Sequence, residues 1–166
     1  NEYVLIMRGS WTKKADDKNY RIPVLVDGND AKVGDLRWYV DTNSYATEFG
    51  FTNSVLSGDE IVSVNAQTGE IKVKNSGIVR VYCESVSDPS IKFSVILVAP
   101  GDFNQDGYVD ADDVDMLVEV ATLTVELTDS KKDIFKKLLG DLDKSNKIDS
   151  DDIDYLVEIA TYTKEI

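Results

Sequence analysis

Two stretches of this chain repeat one spacing of oxygen-bearing side chains, 39 positions apart: DFNQDGYVDADD from Asp102 to Asp113, and DLDKSNKIDSDD from Asp141 to Asp152. Within each 12-residue stretch the oxygens fall at positions 1, 3, 5, 9 and 12. In the first they belong to Asp102, Asn104, Asp106, Asp110 and Asp113, and in the second to Asp141, Asp143, Ser145, Asp149 and Asp152. This spacing lets a short loop wrap a hard cation, with the backbone carbonyl of position 7 (Tyr108 or Lys147) as a further ligand. Ca²⁺ suits such a loop because it accepts about six to eight oxygens in a forgiving geometry, whereas Mg²⁺ demands a tight octahedron. Neither loop holds a His or a Cys, which argues against softer metals. An Asp-rich run alone usually means a solvated acidic surface, but here the acids fall on ligand positions twice in one register. Position 6 has to turn with positive φ, which Gly107 does freely and Asn146 tolerates. Two calcium ions are expected.

The segment after each loop is duplicated as well. Ala111 to Thr124 and Ser150 to Thr163 agree at nine of 14 positions, and two more are Val/Ile exchanges. Both segments are helical by period: Val114, Leu117, Val118 and Ala121 recur at i, i+3, i+4, i+7, as do Ile153, Leu156, Val157 and Ala160. A third helix is predicted between them, from about Asp129 to Leu139. Thr128 to Ser130 offer its cap oxygens, Ile134, Phe135, Leu138 and Leu139 its apolar face, and Gly140 its stop. The apolar arc of each repeat helix is wider than the roughly 100° stripe that one core contact needs. Surplus apolar edges mark interaction sites. Met116, Val118, Leu123, Tyr155, Val157 and Tyr162 are therefore expected to meet a partner protein or the N-terminal half of the chain. Ala111, Asp112, Glu119, Ser150, Asp151 and Glu158 form the polar rim.

The tandem loop-helix repeat, with Asp in place of Glu at position 12 and a Pro100-Gly101 turn where an entering helix would stand, resembles a dockerin module. The resemblance runs from Gly101 to about Tyr162. It implies an all-α domain of residues 100–166 with two EF-hand-like calcium loop-helix repeats. It further implies a non-catalytic plug that binds a cohesin module and attaches its parent protein to a cellulosome-type scaffold. In many dockerins positions 10 and 11 help to set partner choice and basic residues follow on the helix. Here the pairs are Ala111-Asp112 and Ser150-Asp151, with Glu119 and Glu158 after them, a departure that bears on the class of cohesin.

Residues 1–99 read as strands. Asp59 to Asn65 runs through Gln67-Thr68-Gly69 into Glu70 to Lys74, a hairpin pattern. Ile78 to Val86 and Ser90 to Val98 alternate apolar with polar residues, and Tyr3 to Met7, Tyr20 to Val26 and Leu36 to Val40 are shorter candidates. About seven strands without a helical period predict an antiparallel β-sandwich. From Trp38 to Val98, the pieces Ile61, Val64, Asn65, Gly69, Ile71, Val73, Gly77 and Val81 resemble a bacterial immunoglobulin-like domain of group 2. A small domain before a dockerin also resembles the X modules of cellulosomal proteins. The fold class expected is thus two domains, an N-terminal all-β immunoglobulin-like sandwich and a C-terminal all-α dockerin, divided at Ala99-Pro100-Gly101. A linker this short implies contact between them.

Charge divides the chain at the same place. Residues 101–166 hold 18 acidic and 7 basic residues, and the whole chain carries −13. Such a surface repels nucleic acid and anionic membranes. With no His, the commonest general base is missing, and the densest carboxylates are taken as cation ligands, so no catalytic site is expected. Cys83 alternates with polar residues in a strand and is expected in the core. Trp38 is read the same way, although Trp11, Trp38, Tyr39, Tyr45, Phe49 and Phe51 also permit an alternative, a carbohydrate-binding sandwich anchored by a dockerin. No transmembrane stretch is present, Asn1 suggests a segment of a longer protein, and the family likeness implies an extracellular or cell-surface complex of an anaerobic bacterium.

Overall fold

The computed structural model describes residues 3–6, 20–42 and 56–162. Among these, nine strands and four helices follow in the order β1 (Tyr3–Ile6), β2 (Tyr20–Arg21), β3 (Leu25–Val26), β4 (Asn29–Asp30), β5 (Leu36–Val40), α1 (Gly58–Ile61), β6 (Val62–Val64), β7 (Glu70–Val73), β8 (Gly77–Ser85), β9 (Lys92–Ala99), α2 (Ala111–Ala121), α3 (Lys131–Gly140) and α4 (Ser150–Tyr162). The strands build a four-stranded sheet in the order β1-β9-β8-β5, a three-stranded sheet β2-β7-β6 and the hairpin β3-β4.

The expected pairing of an immunoglobulin-like sandwich with a separate all-α domain does not hold. The larger sheet is mixed, because β1 runs parallel to β9 from Tyr3↔Val95 to Ile6↔Val98. From Val95 to Ala99 its strand β9 is also buried on both faces. Val95 and Leu97 pack with Trp38, Ile61, Ile71, Val79, Val81 and Cys83. Ile96, Val98 and Ala99, together with Ile78, pack with Phe103, Leu117, Phe135, Leu139, Tyr155, Leu156 and Ile159. One strand therefore serves two cores, as a run of consecutive apolar residues allows, and the sheet forms a layer between the small sheet and the helices. The helices complete a core to which the sheet contributes one wall, and the result is a mixed α/β body.

Local chemistry explains the remaining departures. Asp59 to Ile61 starts as a helical turn because Ser57 and Glu60 close a capping box, with the Ser57 N–H donating to Glu60 Oε2 at 2.8 Å. Pro23 interrupts the expected strand Tyr20 to Val26, and Asp27 (φ 50°) and Gly28 (φ 79°) turn β3 into β4, the two positive φ values of a tight hairpin turn. Trp38 is buried at 4 % exposure, with Gly69 (φ 71°) against its ring. A Cβ there would stand 2.6 Å from Cε2. Cys83 is also buried, and burial pushes its thiol up to about 11, which keeps it an unreactive apolar side chain.

Candidate metal centre

The repeated sequences fold into congruent loops. At position 12 the Asp113 carboxylate accepts from the N–H groups of Phe103 (2.7 Å), Asn104 (3.0 Å) and Asp110 (3.0 Å). Asp152 accepts from Leu142 (2.7 Å), Asp143 (3.2 Å) and Asp149 (3.0 Å). At position 1, Asp102 takes the N–H groups of Asp106 and Gly107 at 3.1 and 2.8 Å, and Asp141 those of Ser145 and Asn146, both at 2.9 Å. At position 3, Asn104 Oδ1 accepts from Asp106 N at 3.0 Å and Asp143 Oδ1 from Ser145 N at 2.9 Å. The acids thus organise the loop backbone as well as supplying negative charge.

This wrapping needs two left-handed residues per loop. Position 6 is one, with φ of 97° at Gly107 and 66° at Asn146. Position 4 is the other, with 61° at Gln105 and 63° at Lys144. The second pair has no glycine or asparagine to reveal it in the sequence. Gln105 is buried and its Nε2 donates back to Asp102 O, which compensates the left-handed turn locally.

In the second loop, Asp141, Asp143 and Asp152 each bring a carboxylate oxygen within 4.8 Å of the others, a cluster that could hold a metal ion. The donor set fits a hard cation, since all three ligands are carboxylates. In the first loop Asp102 and Asp113 hold the matching places, with the Asn104 amide where the second has Asp143. Its Nδ2 donates to Asp106 Oδ2 at 3.0 Å, which ties position 3 to position 5. Position 9 acts differently, because Asp110 and Asp149 cap the following helices by accepting from Asp112 N (2.9 Å) and Asp151 N (3.0 Å). Ser145 is exposed, with its hydroxyl 3.5 Å from Lys147 O. Tyr108 and Lys147 are both exposed, as position 7 allows if only its carbonyl is to bind.

Crowded acids in a buried setting resist ionisation. Burial, reinforced by the neighbouring Asp113 and Asp106 charges, raises Asp102 to about 7. Burial likewise raises Asp113 to about 6, with Asp106 adding to the effect. Burial raises Asp141 and Asp152 too, and the Asp143 carboxylate raises both further. A bound cation would reverse this cost, because it favours the charged form that desolvation opposes.

The expected partner surface divides in two. Ala111, Asp112, Val118, Glu119, Leu123, Ser150, Asp151, Val157 and Glu158 are exposed. Tyr155, by contrast, is 9 % exposed and belongs to the core shared by sheet and helices, against which Met116 also packs. The Tyr162 side chain lies outside the described residues. Helices α2 and α4 pack against each other, and a surface groove runs between Asp110, Ala111 and Val114 at the start of α2 and Val157, Ala160 and Thr161 towards the end of α4, which makes the pair antiparallel.

Of the aromatic residues considered for sugar stacking, Trp11, Tyr45, Phe49 and Phe51 lie outside the described residues. Tyr39 stacks on Tyr82 with ring centroids 5.3 Å apart. Arg37 lies over Tyr39 and Lys92 over Tyr82, each 5.8 Å from the ring centroid, so cations and the partner ring already flank this pair. With the loops' geometry in view, comparison with known proteins adds no relative: no protein-family model, curated protein or solved structure matches the chain.

Proposed function

We propose that this chain is a non-catalytic, calcium-dependent assembly module of dockerin type, which binds one calcium ion in each loop and docks on a cohesin through the exposed faces of α2 and α4. The observation that carries the reading is the congruence of the two loops. Positions 1, 3 and 12 accept the same hydrogen bonds from the same backbone positions in both, and the atoms they offer a cation are oxygens throughout. Calcium is the ion of choice because the oxygens are numerous and mostly anionic. Ordering by the ion couples cation binding to the shape of the docking face, since Asp113 and Asp152 lie in the first turns of α2 and α4.

Exposed Val118 and Val157 supply the apolar centre of that face, and Asp112, Glu119, Asp151 and Glu158 an acidic rim. An acidic rim selects a partner with basic groups opposite and makes association faster at low salt. Calorimetric titration of the chelator-treated chain should reveal about two calcium ions per molecule, and Asp102→Ala with Asp141→Ala should abolish both. Capture by a panel of cohesins should require calcium and weaken as salt is raised. Calcium binding without capture by any cohesin would leave a cation-binding fold and refute the docking role.

A further inference from the structure

The two loops differ at their entry. The second follows α3, whose end delivers Asp141: its N–H continues the helical pattern and donates to Lys137 O at 2.9 Å. The first has no helix before it. The chain leaves β9 at Ala99, turns through Pro100 and Gly101 (φ 133°) and enters the loop. There the Asp102 N–H donates to Ser76 Oγ at 2.7 Å, and the same hydroxyl donates its proton to Ala99 O at 2.7 Å. Ser76 stands immediately before β8, 4 % exposed, and Asp102 is 3 % exposed. We infer that Ser76 is a positioning residue of the first cation site, doing from the sheet what the last turn of α3 does for the second site. The inference rests on the assignment of a cation to each loop made above.

The chemistry of a hydroxyl suits this role. It has one proton and two lone pairs, so Ser76 can bridge a carbonyl and an N–H that belong to one turn. Both bonds lie in the interior, where water does not readily replace them. The bridge fixes the backbone of Asp102, and the Asp106 and Gly107 N–H groups fix its carboxylate. The direction in which that carboxylate faces the loop therefore depends on both anchors. Gly101, whose N–H donates to Leu139 O at 3.1 Å, ties the same turn to α3. Because coupling is reciprocal, a cation in the first loop should in turn strengthen the hold of this turn on the sheet.

Calcium titration of the full chain by calorimetry, with terbium luminescence sensitised through Tyr108 at position 7 of the first loop, separates the sites. Ser76→Ala should weaken first-loop affinity about tenfold, the scale of one lost buried hydrogen bond, and leave second-loop affinity unchanged. Ser76→Thr, which keeps the hydroxyl, should restore the first loop. Should Ser76→Ala not fold, Ser76→Thr and Ser76→Cys give the same ranking, with the weaker sulfur donor binding less tightly. Two ions bound with native affinities by Ser76→Ala, or a loss shared equally by both loops, would overturn the role of Ser76 and leave the cation assignment standing. A native chain that binds no cation would overturn both.

Discussion

At the scale of single residues, the acids of these loops do two things that can be separated by substitution. Asp152 accepts three backbone N–H bonds and also contributes charge to the triad with Asp141 and Asp143. Asp152→Asn keeps one oxygen for the Leu142 and Asp143 N–H groups, loses the acceptor for Asp149 N–H and removes the charge. It should therefore fold with a smaller loss than an alanine there and bind calcium at least about tenfold more weakly at the second loop. Asp152→Ala leaves the three donors without their acceptor and should also lower stability in chelator, by roughly 1–3 kcal/mol. Denaturant melts of both variants with and without calcium check this. The raised acids predict a pH dependence as well. Asp102 titrates near 7 and Asp113 near 6 in the fold, against about 4 in an unfolded chain. In chelator the folded state therefore holds more protons between about pH 4 and pH 7, and stability from this source is full below that window and lost as pH rises through it. Calcium needs the ionised acids, so its affinity should climb over the same range. A melting temperature in chelator that rose from about pH 5 to about pH 7 would contradict this assignment.

At the scale of elements, the two repeat helices end differently despite their similar sequences. Helix α2 stops at Ala121, Thr122 Oγ1 donates back to Val118 O at 2.8 Å, and Leu123 sits at φ 60° with 80 % of its surface exposed. A left-handed leucine costs about 1–2 kcal/mol relative to the favoured helical conformation, and water gains nothing from its side chain. Leu123→Gly should thus raise the melting temperature while weakening capture by the partner, if Leu123 belongs to the docking face. Unchanged capture would remove it from that face. Helix α3 shows the opposite constraint at its end. A Cβ on Gly140 would stand 2.8 Å from Leu117 Cδ1, 2.9 Å from Phe103 Cε2 and 3.0 Å from Ile148 Cδ1. Gly140→Ala adds about 1 kcal/mol of helix propensity but overpacks three side chains, which typically costs about 1–3 kcal/mol. A net loss of stability is expected, and chemical denaturation measures it.

At the scale of the whole molecule, the helices depend on the sheet. Ile78, Ile96, Val98 and Ala99 form one wall of the core that holds Leu117, Leu139, Leu156 and Ile159. Residues 101–166 expressed alone would expose that core on one side, at about 25 cal/mol for each Å² of apolar surface returned to water. They should melt well below the full chain even in saturating calcium, and they should bind an apolar dye. Equal melting temperatures would mean that the helices close their core without the sheet.

The contacts legible in the sequence were those made within a few residues. The spacing of the loop acids, the helical periods after each loop, the cap at Ser130 and the left-handed turn at position 6 are all local, because each is decided inside one loop or two turns of helix. The Asp27-Gly28 turn and the Ser57 capping box belong to the same class and could have been found from their dipeptide and S-x-x-E signals. Burial of Trp38 and Cys83 followed from strand alternation. What required the tertiary structure was the identity of distant neighbours: the parallel pairing of β1 with β9, the second buried face of β9, the inward turn of Tyr155, and the hydroxyl of Ser76 under Asp102. An apolar stripe records that a residue will leave water, but the stripe is equally satisfied by a partner protein, a second domain or a sheet of the same chain. Only the packed arrangement chooses among them: here it gave Tyr155 and Met116 to the core shared with the sheet and left Val118, Leu123 and Val157 exposed.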